Sequence, residues 1–210
     1  MSIQINRSLL KASVLLLTSL FIVNAQAGVV NSTLALTTTN PDISSGFITS
    51  DYTGDSTGGL FTANGFATQL TTAIPTNEAI ANGTFNLTAN IQESAGTANG
   101  LLSIGGTIAA LGFNSATLIT GNLLQVGGPS IALNFLFNVT GGDAASLYGG
   151  IGSTIGVIMN FTGYNGDFNA DFASDPDNAT SDTFAVSAPN SLSIFLIGFI
   201  ALGLRKKLRG

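Results

Sequence analysis

Five carboxylates fall within sixteen residues of the segment NGDFNADFASDPDNATSD: Asp167, Asp171, Asp175, Asp177 and Asp182. Carboxylate and amide oxygens at close spacing are the ligands that calcium takes. Asp171, Asp175, Asp177 and Asn178 form the tightest set, and Asp175-x-Asp177-Asn178 could chelate from one loop. The run lacks the Gly and the distal Glu of an EF-hand loop. The plainer reading of the same residues is a solvated acidic linker.

Catalytic chemistry has little to work with. The chain contains no His, no Cys and no Trp. Without Cys there is no disulfide, thiol nucleophile or zinc finger. Without His there is no Ser-His-Asp triad and no residue that ordinarily titrates near neutrality. A two-carboxylate glycosidase needs only Asp and Glu. Yet Glu78 and Glu93 are the only glutamates, both in polar, turn-like contexts, and no pair stands out. The expectation is a protein that is not an enzyme and carries no cofactor, calcium aside. Tyr148 in a Gly-rich loop and Tyr164 beside Asn165-Gly166 are the candidates for stacking on a sugar. Their plainer role is to cover the edge of a sheet.

The charges are segregated. The chain has 210 residues, with 6 Lys and Arg against 11 Asp and Glu, a net charge of −5. Every base lies at an end: Arg7 and Lys11, then Arg205, Lys206, Lys207 and Arg209. Residues 28–186 hold all 11 acids and no base. Such a surface repels nucleic acid and anionic lipid. Its acids must be solvated, screened or bound to cations, because no Lys or Arg is there to pair with them.

The ends read as addresses. Arg7 and Lys11 precede an apolar run from Ala12 to Val23, and Ala25-Gln26-Ala27 is a small-x-small cleavage site. This is the layout of a secretory signal peptide over residues 1–27, with Gly28 as the new N-terminus. At the other end, Ser187-Ala188-Pro189-Asn190 precedes a short apolar helix over 191–204, and a basic tail, 205–210, closes the chain. The tail holds its side of the helix in the cytoplasm and leaves the Pro189 strip outside.

This three-part tail resembles the PEP-CTERM sorting signal of Gram-negative bacteria. In that family a Pro-Glu-Pro-like motif, an apolar helix and an Arg/Lys cluster follow in order. Here Ser187-Ala188-Pro189 stands in place of Pro-Glu-Pro, and only Pro189 matches. The resemblance covers residues 187–210 and implies recognition by an exosortase, an inner-membrane transpeptidase-like protease. Signal peptidase and exosortase are then the partners in export. The protein is held transiently in the inner membrane and delivered to the cell surface or extracellular matrix. A plain C-terminal membrane anchor is the alternative.

Between the addresses the pattern is β. Phe85, Leu87, Ala89 and Ile91 alternate with Thr84, Asn86, Thr88 and Asn90. Ile131, Leu133, Phe135, Phe137 and Val139 alternate in the same way, as do Ile155, Val157, Met159 and Phe161, and Phe168, Ala170 and Phe172. Period two means half-buried antiparallel strands. Weaker strands are expected over 33–39, 46–52, 60–63, 66–71, 101–104, 107–111, 116–120, 123–126 and 183–186. Gly-rich pairs such as Asn64-Gly65, Asn82-Gly83, Asn99-Gly100 and Gly121-Asn122 read as turns between them. Helix is expected at most as single turns near 142–147 and 77–81. The prediction is one all-β domain over 28–186, an antiparallel β-sandwich of jelly-roll type.

Two functions follow as expectations. The first is a non-enzymatic structural or interaction protein of the bacterial surface or biofilm matrix. The second is a module that binds exopolysaccharide or calcium and keeps a plain membrane anchor.

Overall fold

The computed structural model describes residues 28–31, 33–74, 76–129, 132–160, 163–164, 166–175 and 179–186. Residues 1–27, Ile131, Phe161, Asp177, Asn178 and the whole of 187–210 lie outside the described residues. The signal peptide with Ala25 and Ala27, the sorting motif, its helix and the basic tail are among them.

The domain is all-β. Eleven strands follow in order: β1 (Gly28–Val30), β2 (Asp42–Asp55), β3 (Gly58–Thr71), β4 (Asn77–Ala79), β5 (Ala81–Gln92) and β6 (Thr97–Thr107) come first. Then come β7 (Thr117–Gly127), β8 (Ala132–Gly141), β9 (Thr154–Asn160), β10 (Phe172–Ser174) and β11 (Thr180–Ala185). The helical elements among the described residues are three 3-10 turns, one of them Ala145–Tyr148 near an expected helical turn. The other expected turn, near 77–81, is extended: β4 covers Asn77–Ala79 and β5 opens at Ala81.

All strands belong to one sheet, and that sheet closes on itself. β2 pairs with β3, β3 with β5, β5 with β6, and β6 with β7. β7 then pairs with β8, β8 with β9, β9 with β11, and β11 returns to β2. All of these pairs are antiparallel, so eight strands make an up-and-down ring. The remaining strands extend it. β4 continues β5 along β3, β10 continues along β2 where β11 stops, and β1 wedges between β6 and β7. The only parallel pairing among the described strands is that of β1 with β7, which makes the sheet mixed.

The expected two-sheet sandwich is therefore replaced by a closed ring. Strand length is the reason. Asn64-Gly65 does not turn: it lies inside the fourteen-residue β3, opposite Asn86 and Phe85. Asn99-Gly100 and Gly121-Asn122 likewise sit within β6 and β7. Pairs read as hairpin turns are crossings of neighbouring strands. A Cβ on Gly100 would meet the Thr88 carbonyl at 2.3 Å, so glycine there lets backbones approach. Twice-long strands wrap round and close the eight-strand ring, with unpaired edges on the short β4 and β10.

The strongest alternations hold. Phe85, Leu87, Ala89 and Ile91 are buried while Thr84, Asn86, Thr88 and Asn90 are exposed. Leu133, Phe135, Phe137 and Val139 are buried, and so are Ile155, Val157 and Met159. These side chains fill the ring with apolar volume. The outward row of β5 is polar, the reverse of a lipid-facing barrel.

Both mouths are stoppered. At the Asp55 end of β2, residues 163–164 and 166–171 fold across the opening. Tyr52 stacks on Phe172 with ring centroids 4.7 Å apart, and Phe168 and Tyr164 complete the cluster. At the Asp42 end, Tyr148 enters from its 3-10 turn and donates its hydroxyl to the Thr183 carbonyl at 3.2 Å. A strand was expected over 167–172 with Ala170 inside, but strand begins only at Phe172, the start of β10, after residues 167–171. They bend instead, and Ala170 is exposed while Phe168 and Phe172 are buried. Two rings on one side of a curved loop suffice to close a mouth.

One stretch lies outside the ring. Residues 33–39 were expected as a strand but form a coil over the outer face of β8, β9 and β11. The Asn134 amide donates to the Leu34 carbonyl at 2.8 Å. Leu36 approaches Gly156 beside the Phe184 ring. Residues 107–111, also expected as strand, end in a 3-10 turn over Ala109–Leu111.

Three of the ladder irregularities line up across neighbouring strands. β2 slips against β3 between Gly46 and Thr49, β5 against β6 between Ala81 and Thr84, and β6 against β7 between Ile104 and Gly105. Among the described residues, the non-glycine positions with left-handed backbone are Phe47 (φ 52°), Asn82 (φ 51°) and Ala116 (φ 63°). All three sit at these slips. Aligned bulges bend a sheet sharply along one line.

Candidate functional site

The acidic run does not converge. Asp171 accepts a hydrogen bond from the Gly54 amide at 2.8 Å and so ties the stopper loop to β2. Asp167 accepts from the Asn169 amide and side chain, closing its own turn. Asp182 lies on the outer face of β11, opposite Ser44. Among the described residues no three carboxylates come close enough to hold a metal ion. Asp175 is exposed, while Asp177 and Asn178 are outside the described residues.

Asp182 has a different neighbour, which spacing did not reveal. Asp42 projects from β2 on the same face, two register positions away across the β2–β11 seam. Burial, and then the charge of Asp182, push the Asp42 carboxyl up from 3.8 to about 6. The Ser44 hydroxyl and the Thr183 backbone pull weakly the other way. Burial raises Asp182 as well. Asp42 Oδ1 is buried with no hydrogen-bond partner. Two carboxyls 140 residues apart in sequence meet only because β11 closes the ring. With no base in the domain to offset the charges, the repulsion between the pair is relieved where Asp42 is protonated, below about pH 6.

Inside the same seam runs a row of hydroxyls. Ser45 stands opposite Ser181, and Thr183 opposite Ile43. Ser45 Oγ, Ser181 Oγ and Thr183 Oγ1 are buried without hydrogen-bond partners, while Ser50 donates to Ser174 at 3.2 Å. Among the described residues none of these hydroxyls hydrogen-bonds to a carboxylate that could act as its base. Tyr148 is the nearest phenol, and burial raises it well above its ordinary range, so it stays protonated.

The two tyrosines expected to stack on a sugar are in the interior. Tyr148 is 2% exposed and Tyr164 is 4% exposed. Burial pushes Tyr164 up to about 12. They are mouth stoppers, and a sugar cannot reach their faces. Their loop positions beside glycine made them stacking candidates, and the plainer reading, tyrosines that cover a sheet edge, lies nearer to the buried positions they take. The outward aromatic side chains among the described residues are phenylalanines instead: Phe47, 63% exposed, and Phe66, 58% exposed. Phe66 lies opposite Gly46, the residue before Phe47. The visible signal was a break in parity. Phe66 falls on the polar side of the β3 alternation that buries Phe61, Ala63 and Ala67.

Beside Phe66 an open groove of about 590 Å³ runs between β3 and the bulge of β5, lined also by Thr68, Ile80, Asn82 and Thr84. At the Asp42 end a second depression of about 530 Å³ is lined by Asn40, Leu147, Tyr148, Ser153 and Val186. No family model, curated protein or solved structure matches this chain.

Proposed function

We propose that the chain is an exported protein of the bacterial cell surface or biofilm matrix, sorted by an exosortase, that works by structure and binding rather than by catalysis. The observation that carries this reading is the separation of charge. Both basic clusters stand beside apolar runs at the ends, and the 159 residues of 28–186 between them hold only acids. An N-terminal signal and a PEP-CTERM-like tail account for both clusters at once.

The fold supports the non-catalytic half of the reading. The ring is filled by Phe, Ile and Leu, and its mouths are stoppered by aromatic side chains. Among the described residues the buried hydroxyls have no hydrogen bond to a carboxylate. The start of the domain fits the processing scheme, because Gly28 is buried in the wedge between β6 and β7. Cleavage after Ala27 therefore precedes closure of that wedge. The second reading keeps the C-terminal helix as a plain anchor, with a polysaccharide-binding domain outside the membrane.

Intact mass of the exported protein tests both ends together. The expected species begins at Gly28 and ends near Ser187–Asn190, without the helix 191–204 or the tail. A species beginning at Gly28 but ending at Gly210 establishes the plain anchor. One that still begins at Met1 overturns the signal peptide.

A further inference from the structure

We infer that Phe47, Phe66 and the adjoining groove between β3 and β5 form a platform for a neutral polysaccharide. The two rings project outward at neighbouring register positions on β2 and β3. Water contact on large apolar rings is unfavourable, and most of the described phenylalanines avoid it. Phe47 is also held in left-handed backbone at φ 52°, where a side chain is strained. The left-handed turn of the backbone belongs to the bulge, but a phenylalanine held there and exposed, where glycine would be unstrained, points to a role outside folding. Asn82, across the groove, is held in the same backbone region at φ 51°.

The chemistry around the rings selects the ligand. By register and lining, the neighbours are Thr49, Asn64, Thr68, Asn82 and Thr84, all uncharged and exposed. The side chains of Asn64, Asn82 and Thr84 make no hydrogen bond among the described residues, so their polar atoms face the groove or the solvent uncommitted. Aromatic faces meet the C–H faces of sugar rings, and amides and hydroxyls meet their hydroxyl edges. An anionic polymer is disfavoured, because 28–186 holds 11 acids and no base to receive it. The same charge opposes the other apolar occupant, a second copy of this chain. This inference adds a partner to the surface-protein reading. Its test is made on purified protein, so its failure and a failure of the processing scheme are read separately.

The test is affinity electrophoresis of the full chain through gels containing hydroxyethyl cellulose, dextran, mannan or, as the anionic comparison, alginate. Retardation is expected in at least one neutral gel and not in alginate. Phe66→Thr and Phe47→Gly should each weaken the retardation at least tenfold, while Leu101→Thr, at an exposed position elsewhere on β6, leaves it unchanged. Phe47→Gly separates binding from folding. It relieves the left-handed strain, so its melting temperature should hold or rise while binding is lost. Migration unchanged in all three neutral gels overturns the inference. So does retention of binding by both Phe variants. A concentration-dependent dimer that both Phe variants abolish, without retardation in any neutral gel, assigns the patch to self-association instead.

Discussion

Tyr52 lies on Phe172 with an interplanar angle of 15°, and its hydroxyl donates to the Phe168 carbonyl at 2.8 Å. One side chain of β2 thus holds the stopper loop by its face and by its edge. Burial pushes the phenol up to about 12, so it remains a donor across the whole working range of pH.

Replacing Tyr52 by Phe should keep the stack and remove the bond. The Phe168 carbonyl is then left buried without its donor, at a cost of about 1 kcal/mol. Chemical denaturation should show a lower midpoint with an unchanged slope. A midpoint equal to that of the parent would mean that water replaces the phenol.

The interior is expected to be most sensitive at Phe135 and Phe137. Both are fully buried, on alternate positions of β8, with ring centroids 6.0 Å apart. Phe135→Ala and Phe137→Ala should each cost about 3–5 kcal/mol. Because the rings touch, the double variant should depart from the sum of the singles. A near-zero cost at either position contradicts the register of β8.

Stability should depend on pH through Asp42. Its carboxyl stands at about 6 in the folded chain against an ordinary 3.8, so the folded state binds a proton more tightly than the unfolded one. The benefit is full below about pH 4 and is lost as pH rises through 6. Asp42 is partly exposed, so solvent screening reduces the effect to about 1 kcal/mol. Asp55 and Asp143 are shifted down by hydrogen bonds to Thr57 and Ser115, so their contribution is lost as pH falls below 4. Stability should therefore peak between about pH 4 and 6. Urea midpoints at pH 5 and pH 8 check the sign, and Asp42→Asn should flatten the difference between them. A parent protein more stable at pH 8 would show the Asp42 assignment to be wrong.

Gly156→Ala tests the layer outside the ring. Its Cβ would lie 2.7 Å from Phe184 Cζ and 3.2 Å from Leu36 Cδ1. Phe184 is 1% exposed, so its ring has little room to retreat. A cost of about 1–3 kcal/mol is expected, seen as a lower thermal midpoint. An unchanged midpoint would mean that the coil over 33–39 is not packed on β9.

The sequence by itself determined the all-β class and the inward faces of β5, β8 and β9. Period two is a local property: Phe85, Leu87, Ala89 and Ile91 share a face whatever they pair with. It also showed that 28–186 has no base, and so that no salt bridge to Lys or Arg can form within it. Local pattern did not carry the closure of the sheet. Asn64-Gly65 has turn-forming residues, yet pairing with β2 on one side and β5 on the other holds it extended. Ladder bonds to two neighbours outweigh the local preference for a turn. The exposure of aromatic residues was decided at the same level. Tyr148 and Tyr164 became interior stoppers because a closed ring has mouths to fill, and Phe47 and Phe66 were left outside. Asp42 meets Asp182 for the same reason: only the last strand, returning to the first long one, brings positions 140 residues apart within reach of each other's charge.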